Sequence, residues 1–467
     1  LPNITFIYNF KSYSGYLYGN AEKTYKMFYW FVESQGNPDS DPVALWLNGG
    51  PGCSSIGGAF EELGPFYVNR DSRSLYENPY AWNKAANILF LESPVGVGFS
   101  YITTDPNGFV VGDDAVAAMN YHAMNDFFTR VHPKYQNRTF FITGESYAGV
   151  YLPTLARLLV RGIYNGTFIN PNFQGVAIGN GYLSEETQRN SYVLWANYHG
   201  IIGVDDWKEV KRECCKEEPD IDTCNFYQKV IAEVNATIST NATSMPYDPY
   251  NFYQDCYQTK TMLMSKSFYG RVIRPNSDYI NAAAYLNYDS TDNQDGYPCW
   301  NEDSLSAYLN RQEVMKAFHI DDEWIKERTQ HWEGCNDALF ANYTSTYLDT
   351  TPIFVDIINE AKIPNFRFLI YNGDTDTVCN FLGDAWFADN LATTKRFQKT
   401  SRVEWNFRGQ IAGFTQRYYD DDITMDVLTV KGAGHFVPND RPGPSLQMII
   451  NFFRDSGNYS SDSGFDP

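Results

Sequence analysis

Three stretches of the chain hold residue types that could together break an acyl bond. The first, Thr139-Phe-Phe-Ile-Thr-Gly144-Glu145-Ser146-Tyr147-Ala148-Gly149, reads as an apolar strand, a Gly-x-Ser-x-small turn and a helix start. A turn of this kind is strained, tolerates only small residues beside the serine and thrusts the hydroxyl outward as a nucleophile. The helix start adds partial positive charge that favours a developing alkoxide. Ala148 stands where the strict pattern has a second glycine, and it is still small. A serine nucleophile needs a base, and the base needs a carboxylate to orient it. Where such serines sit on strand-to-helix turns, the acid and then the histidine follow in chain order. Two post-strand loops supply them: Tyr371-Asn-Gly373-Asp374-Thr-Asp376 and Lys431-Gly-Ala-Gly434-His435. Asp374 and Asp376 compete for the acid's role, and spacing does not separate them. His122, His132, His199, His319 and His331 lack the strand-to-glycine-loop setting and read as structural. Backbone N–H groups must also meet the negative oxygen of the transition state. One is expected from Tyr147, the other from the glycine loop Trp46-Leu-Asn48-Gly49-Gly50-Pro51-Gly52-Cys53.

These loops need a frame. Val43–Leu47, Ile88–Leu91, Thr139–Thr143 and Gly175–Ile178 read as apolar strands between Gly, Pro or Asn, and Val150–Arg161 carries apolar residues at helical spacing. Strands alternating with helices predict an α/β architecture with a mostly parallel central sheet covered on both faces. The texture changes near Tyr182: polar clusters follow, with Cys214, Cys215, Cys224, Cys256 and Cys299 among them. The α/β pattern returns at Phe366–Tyr371 and Asp426–Lys431. A closing helix is expected over Gly443–Arg454 and a loose tail from Asp455. The expected division is a core at 1–181 and 307–467, split by a disulfide-stapled cap at 182–306.

Composition narrows the function. The chain has 467 residues, 43% of them hydrophobic and 20% charged, so it can bury a large core. Its net charge of −20 repels phosphate backbones and excludes nucleic acid as a partner. No stretch approaches the ~18–20 apolar residues of a membrane span. The start at Leu1 lacks a charged and apolar leader, which fits a leader already removed. Sequons at Asn3, Asn137, Asn165, Asn235, Asn241, Asn342 and Asn458, with eight Cys at no metal-type spacing, favour a glycosylated secretory-route protein. No metal or organic cofactor is implied.

The landmarks in order are Ser14-Gly-Tyr, Trp46-Leu-Asn-Gly-Gly-Pro-Gly-Cys-Ser-Ser, Glu92-Ser-Pro-Val-Gly-Val-Gly-Phe-Ser-Tyr, Gly144-Glu-Ser-Tyr-Ala-Gly, Gly373-Asp-x-Asp and Gly434-His-x-Val-Pro. Together they resemble the serine carboxypeptidases, especially the lysosomal cathepsin A (protective protein) type. The resemblance spans nearly the whole chain and is weakest in the cap. It implies an α/β-hydrolase fold with an inserted cap. It also implies removal of single C-terminal residues from peptides at acidic pH, through an acyl-enzyme. Carried over by position, Ser146 is the nucleophile, His435 the base, Asp376 rather than Asp374 the orienting acid, and Gly50 and Tyr147 N–H the oxyanion hole. Asn48, Glu62 and Glu145, with Trp46 in the same network, match the site for the substrate's free carboxylate. Two glutamates so close to an anion cannot all be ionised, so one is expected to be protonated and peptide binding to be best at acid pH.

The same resemblance pairs Cys53 with Cys335 and Cys256 with Cys299, and gives Cys224 a loop with Cys214 or Cys215. Cys379 matches a free thiol near the site. In the cathepsin A type a cap segment is excised from a precursor. The basic stretch from Lys260 through Arg271 and Arg274 corresponds, and a cut there would leave two chains joined by Cys256–Cys299. A lysosomal or secreted destination and a homodimer are compatible with this reading. Its rivals are an acyltransferase on the same scaffold and a protective partner-binding role.

Overall fold

Apolar runs with no polar break become the middle of a sheet covered on both faces. In the computed structural model, which describes residues 1–69, 71–104, 111–215, 224–226, 248–253, 301–327, 331–361 and 363–465, fourteen strands form. The first seven are β1 (Ser12–Tyr18), β2 (Tyr25–Val32), β3 (Val43–Leu47), β4 (Phe66–Val68), β5 (Leu75–Glu77), β6 (Asn87–Leu91) and β7 (Tyr101–Ile102). The others are β8 (Phe140–Ser146), β9 (Phe173–Gly181), β10 (Phe366–Gly373), β11 (Gln398–Lys399), β12 (Val403–Phe407), β13 (Gln410–Tyr419) and β14 (Ile423–Val430).

Apart from the β4–β5 hairpin, they make one sheet in the order β1-β2-β6-β3-β8-β9-β10-β14-β13-β11, with β7 on β2 and β12 on β13. The pairs from β6 to β14 are parallel, and those outside them antiparallel. This is the expected α/β architecture. The six expected strands are β3, β6, β8, β9, β10 and β14. The antiparallel flanks β1–β2 and β12–β13 are additions.

Alternation along the central strands sends side chains to two cores. Leu45, Ile142, Val176 and Ile370 meet one layer of helices, which includes Asp113–Asp126, Ala148–Asn165, Thr351–Glu360 and Phe381–Lys395. Trp46, Phe141, Ala177 and Tyr371 face the other side, against the closing helix Pro442–Phe453. The helix at Ala148–Asn165 starts two residues earlier than its periodicity indicates and runs to a left-handed Gly166.

Beyond residue 181, Glu185–Tyr198 is a helix capped by the Ser184 side chain and packed on Phe381–Lys395. Val204–Cys214 follows it. Among the described residues two disulfides form, Cys53–Cys335 across a sequence separation of 282 residues and Cys215–Cys224. Cys224 thus pairs with Cys215, not Cys214. Cys256, Cys299, Asn235, Asn241 and the basic stretch 260–274 lie outside the described residues.

The closing helix ends against a buried cation. Arg367 on β10 donates from Nε to the Phe452 carbonyl (3.0 Å) and from a terminal nitrogen to the Phe453 carbonyl (2.9 Å). Positive charge belongs at a helix C-terminus. Replacing it by Met strands two carbonyls that water does not reach, at a cost of about 2 kcal/mol or more. Arg367→Met is therefore expected to lower the urea-unfolding midpoint while leaving kcat unchanged.

Candidate active site

β8 lies between β3 and β9 and delivers Ser146 at its last position. The chain must turn at once into the helix that begins at Ala148, and Ser146 takes a left-handed backbone with φ 62°. Such a conformation costs a non-glycine residue about 1–3 kcal/mol. Close packing on every side accompanies it. A Cβ on Gly144 would stand 2.2 Å from the Leu47 carbonyl, and one on Gly149 2.7 Å from the Tyr182 nitrogen. A Cβ on Gly49 would stand 2.4 Å from the Tyr147 nitrogen, so the glycine loop after β3 lies directly against the serine turn. Gly50, next in that loop, has φ 115°.

The parallel pairing of β8, β9, β10 and β14 aligns their C-terminal ends, where open α/β sheets carry their sites. Asp376 follows β10 and His435 follows β14. His435 Nδ1 lies 2.7 Å from Asp376 Oδ2. The same carboxylate accepts from Asn180 Nδ2 (2.9 Å), Cys379 N (3.1 Å) and, through Oδ1, Val378 N (2.9 Å). Both residues are buried, and His435 and Ser146 line one cavity. Asp374 does something else. Its Oδ1 accepts from Gly432 N (2.7 Å), tying the two loops together, and burial raises its carboxyl.

The cavity continues to a buried polar cluster. Trp46 Nε1 donates to Asn48 Oδ1 (2.7 Å), and Asn48 Nδ2 donates to Glu62 Oε1 (3.2 Å) and Glu145 Oε1 (3.0 Å). One side-chain amide therefore holds two carboxyl groups. Glu62 is 1% exposed at the end of helix Ser55–Glu61, with none of the exposure a run of two glutamates suggests. Gly58 in that helix leaves room for the cluster, since a Cβ there would stand 2.3 Å from Asn48 Oδ1.

Cys53–Cys335 forms part of the cavity wall. Cys379 is a buried free thiol whose pKa is pushed up by burial first and by the charges of Asp376, Asp384 and Glu145 after it. Such a thiol is unreactive at neutral pH. The five described sequon asparagines, Asn3, Asn137, Asn165, Asn342 and Asn458, are all exposed. Among the described residues there is no cluster suited to a metal ion, and no helix is long and apolar enough to cross a membrane.

Several residues of the site carry no sequence signal strong enough to single them out. Asn180, at the end of β9, braces Asp376. Glu92 belongs to a landmark stretch, but its role emerges only in three dimensions. Fully buried, it accepts from the Ser54 hydroxyl, Phe99 N and Trp332 Nε1 (2.9 Å), joining the N-cap of the Glu62 helix to a cavity wall. Asn251 and Asp440 lie behind His435.

A family model described as serine carboxypeptidase matches residues 2–455. The chain belongs to the serine carboxypeptidase family. Among curated relatives, "Serine carboxypeptidase ctsa-3.1" of Caenorhabditis elegans is 44% identical, with 100% of this chain and 90% of that relative covered. The "Lysosomal protective protein" of Mus musculus is 37% identical over 97% of this chain and 92% of its own length. Among solved structures, a prohormone-processing carboxypeptidase from Saccharomyces cerevisiae superposes with a TM-score of 0.66 at 23% identity, covering 95% of this chain and 91% of that one. This last likeness shows the shared fold, that of the α/β-hydrolases.

In this carboxypeptidase the two aspartates of the Gly373 loop make opposite predictions. If Asp376 orients His435, Asp376→Asn lets an amide N–H face His435 Nδ1 and favours the wrong histidine tautomer, and it is expected to lower kcat by about 10⁴-fold. Asp374→Asn keeps an acceptor for Gly432 and is expected to stay near wild type. Steady-state kinetics of the two variants side by side measures the difference.

Proposed function

We propose that the enzyme removes single residues from peptide C-termini through an acyl-enzyme on Ser146. His435 takes the serine proton on Nε2 as Oγ attacks the last peptide carbonyl, while Asp376 holds Nδ1. The N–H groups of Gly50 and Tyr147 meet the oxyanion. The protonated histidine gives its proton to the leaving amino acid, and the acyl chain stays on Ser146. Water then attacks, His435 again taking a proton, and the shortened peptide leaves with a new carboxylate. No step needs a metal or cofactor.

The observation that carries the exopeptidase reading is the amide of Asn48 shared by two buried carboxyls beside the serine. A substrate carboxylate adds a third acid group to that cluster. Three anions in so little space repel each other strongly, so the pair keeps a proton and offers it to the substrate as a hydrogen bond. Binding then requires the protonated pair. It is strongest at acid pH and is lost as rising pH removes that proton.

We further read residues 182–306 as a cap inserted into the hydrolase core, and the route as secretory, with a lysosomal or extracellular end. The two disulfides, the exposed sequon asparagines and the lysosomal name of the mouse relative support this destination.

The test is a blocked dipeptide with a free or an amidated C-terminus, assayed from pH 4 to 8. Cleavage of the free acid alone, with KM climbing toward pH 8, is expected. Equal cleavage of the amide, or a KM indifferent to pH, would overturn the carboxylate site. Gly58→Ala, which displaces Asn48, is expected to raise KM for the free acid about tenfold, the loss of about 1.4 kcal/mol of binding.

A further inference from the structure

Asp376 and His435 sit on different loops, and catalysis depends on a 2.7 Å contact between them. The inner sides of these loops are stitched directly, Thr375 N donating to the Ala433 carbonyl (2.9 Å). A third segment, Asp248–Tyr253, comes from the middle of the chain and lies across both. It meets the acid loop where Phe252 N donates to Thr375 O (3.0 Å) and Thr377 N to Pro249 O (3.0 Å). At the base loop it takes the main-chain N–H of His435 itself on the Tyr250 carbonyl (2.6 Å). The fit is close enough to demand glycine at 434, where a Cβ would stand 2.1 Å from the Tyr250 oxygen and 2.6 Å from the Asn251 Cβ.

Asn251 is the buried centre of this strap. Its Oδ1 accepts from the Thr375 hydroxyl (2.8 Å), and its Nδ2 donates to Asp440 Oδ2 (3.0 Å). The same Asp440 oxygen accepts from Gly434 N (2.7 Å). A continuous hydrogen-bonded chain, Thr375–Asn251–Asp440–Gly434, thus joins the residue before Asp376 to the residue before His435. An amide is suited to the middle of it, because it accepts on one side and donates on the other. Burial pushes the Asp440 carboxyl up to about 7, against the N–H bonds from Gly434 and Asn251, which draw it down.

We propose that Asn251 is a positioning residue for catalysis, its two amide atoms fixing the spacing between the Asp376 loop and the His435 loop. The inference rests on Ser146, His435 and Asp376 acting as the proposed triad. Asn251 touches neither substrate nor the reacting atoms. Its removal lets the histidine ring shift against the serine, and a displacement of about 1 Å at a reacting centre costs on the order of 100-fold in rate. The bound substrate's carboxylate is held elsewhere, by Asn48 and the glutamates, so KM should not follow.

The experiment compares Asn251→Ala, Thr375→Val, Thr375→Ser and their Ala/Val double variant on the blocked dipeptide acid at pH 5. Alongside, it measures the rate constant for inactivation by diisopropyl fluorophosphate, which reads serine reactivity without the carboxylate site. Expected are a fall in kcat of about 10- to 100-fold for Asn251→Ala and Thr375→Val, with KM within about twofold. Inactivation should slow by the same factor, and Thr375→Ser should stay near wild type. The double variant should be little worse than the poorer single, since both cut one chain. Four results overturn the proposal: kcat unchanged in Asn251→Ala, a rise in KM with unchanged inactivation, a loss that merely tracks folded protein by circular dichroism, or Thr375→Ser as poor as Thr375→Val. Ser146→Ala, run beside them, separates the two readings. If it keeps activity the triad itself fails, and if it is dead while Asn251→Ala is normal only the strap inference fails.

Discussion

The left-handed backbone of Ser146 is the constraint on which the rest of the structure depends. A serine avoids this conformation unless its surroundings allow no other, and here they are rigid. β8 is hydrogen-bonded to a parallel neighbour on each side, and the helix from Ala148 is buried along the sheet. The glycines at 49, 144 and 149 let three backbones crowd the turn. The strain, about 1–3 kcal/mol, is offset by burial of strand and helix. In return the serine side chain is held out of the regular pleat, at the C-terminal end of the central strands, where the Asp376 and His435 loops arrive.

Around that turn the protein buries many polar groups, and several are held by dense pairing. Asp376 has a donor on every side, from a histidine, an asparagine and two backbone N–H groups. Glu92 is shared by a hydroxyl, an indole and a backbone N–H. Asn48 divides its amide between two carboxyls and its oxygen with an indole. Buried networks of this kind are rigid when fully satisfied and expensive when one member is removed. In the glutamate pair two carboxyls share a single amide, and the acid-pH preference we propose rests on it.

Much of this was legible in the chain. The central strands announce themselves as unbroken apolar runs because both faces are covered, and the serine elbow does so because its geometry admits few residue types. The flanking strands β1, β2, β12 and β13 were harder to read. Gln410–Tyr419 mixes exposed, half-buried and buried positions without alternation and interrupts its apolar residues with Gln, Thr and Arg, so it resembles a polar loop. Asp374 and Asp376 could not be told apart by spacing, since both stand just past the same strand. Only the direction of the loop decides, sending one carboxyl to Gly432 and the other to His435. Cys214 and Cys215 posed the same kind of ambiguity, adjacent in sequence and separated only by the end of a helix. Asn180, Asn251 and Asp440 had no motif at all. Their importance comes from contacts made across long stretches of sequence, which local spacing does not encode.

The most direct measurement is the mass of the protein after reaction with diisopropyl fluorophosphate, followed by peptide mapping of the adduct. The account predicts one covalent addition, on the peptide that contains Ser146, abolished in Ser146→Ala and strongly slowed in His435→Ala. An adduct on another residue, or labelling of Ser146 at an undiminished rate without His435, would contradict it.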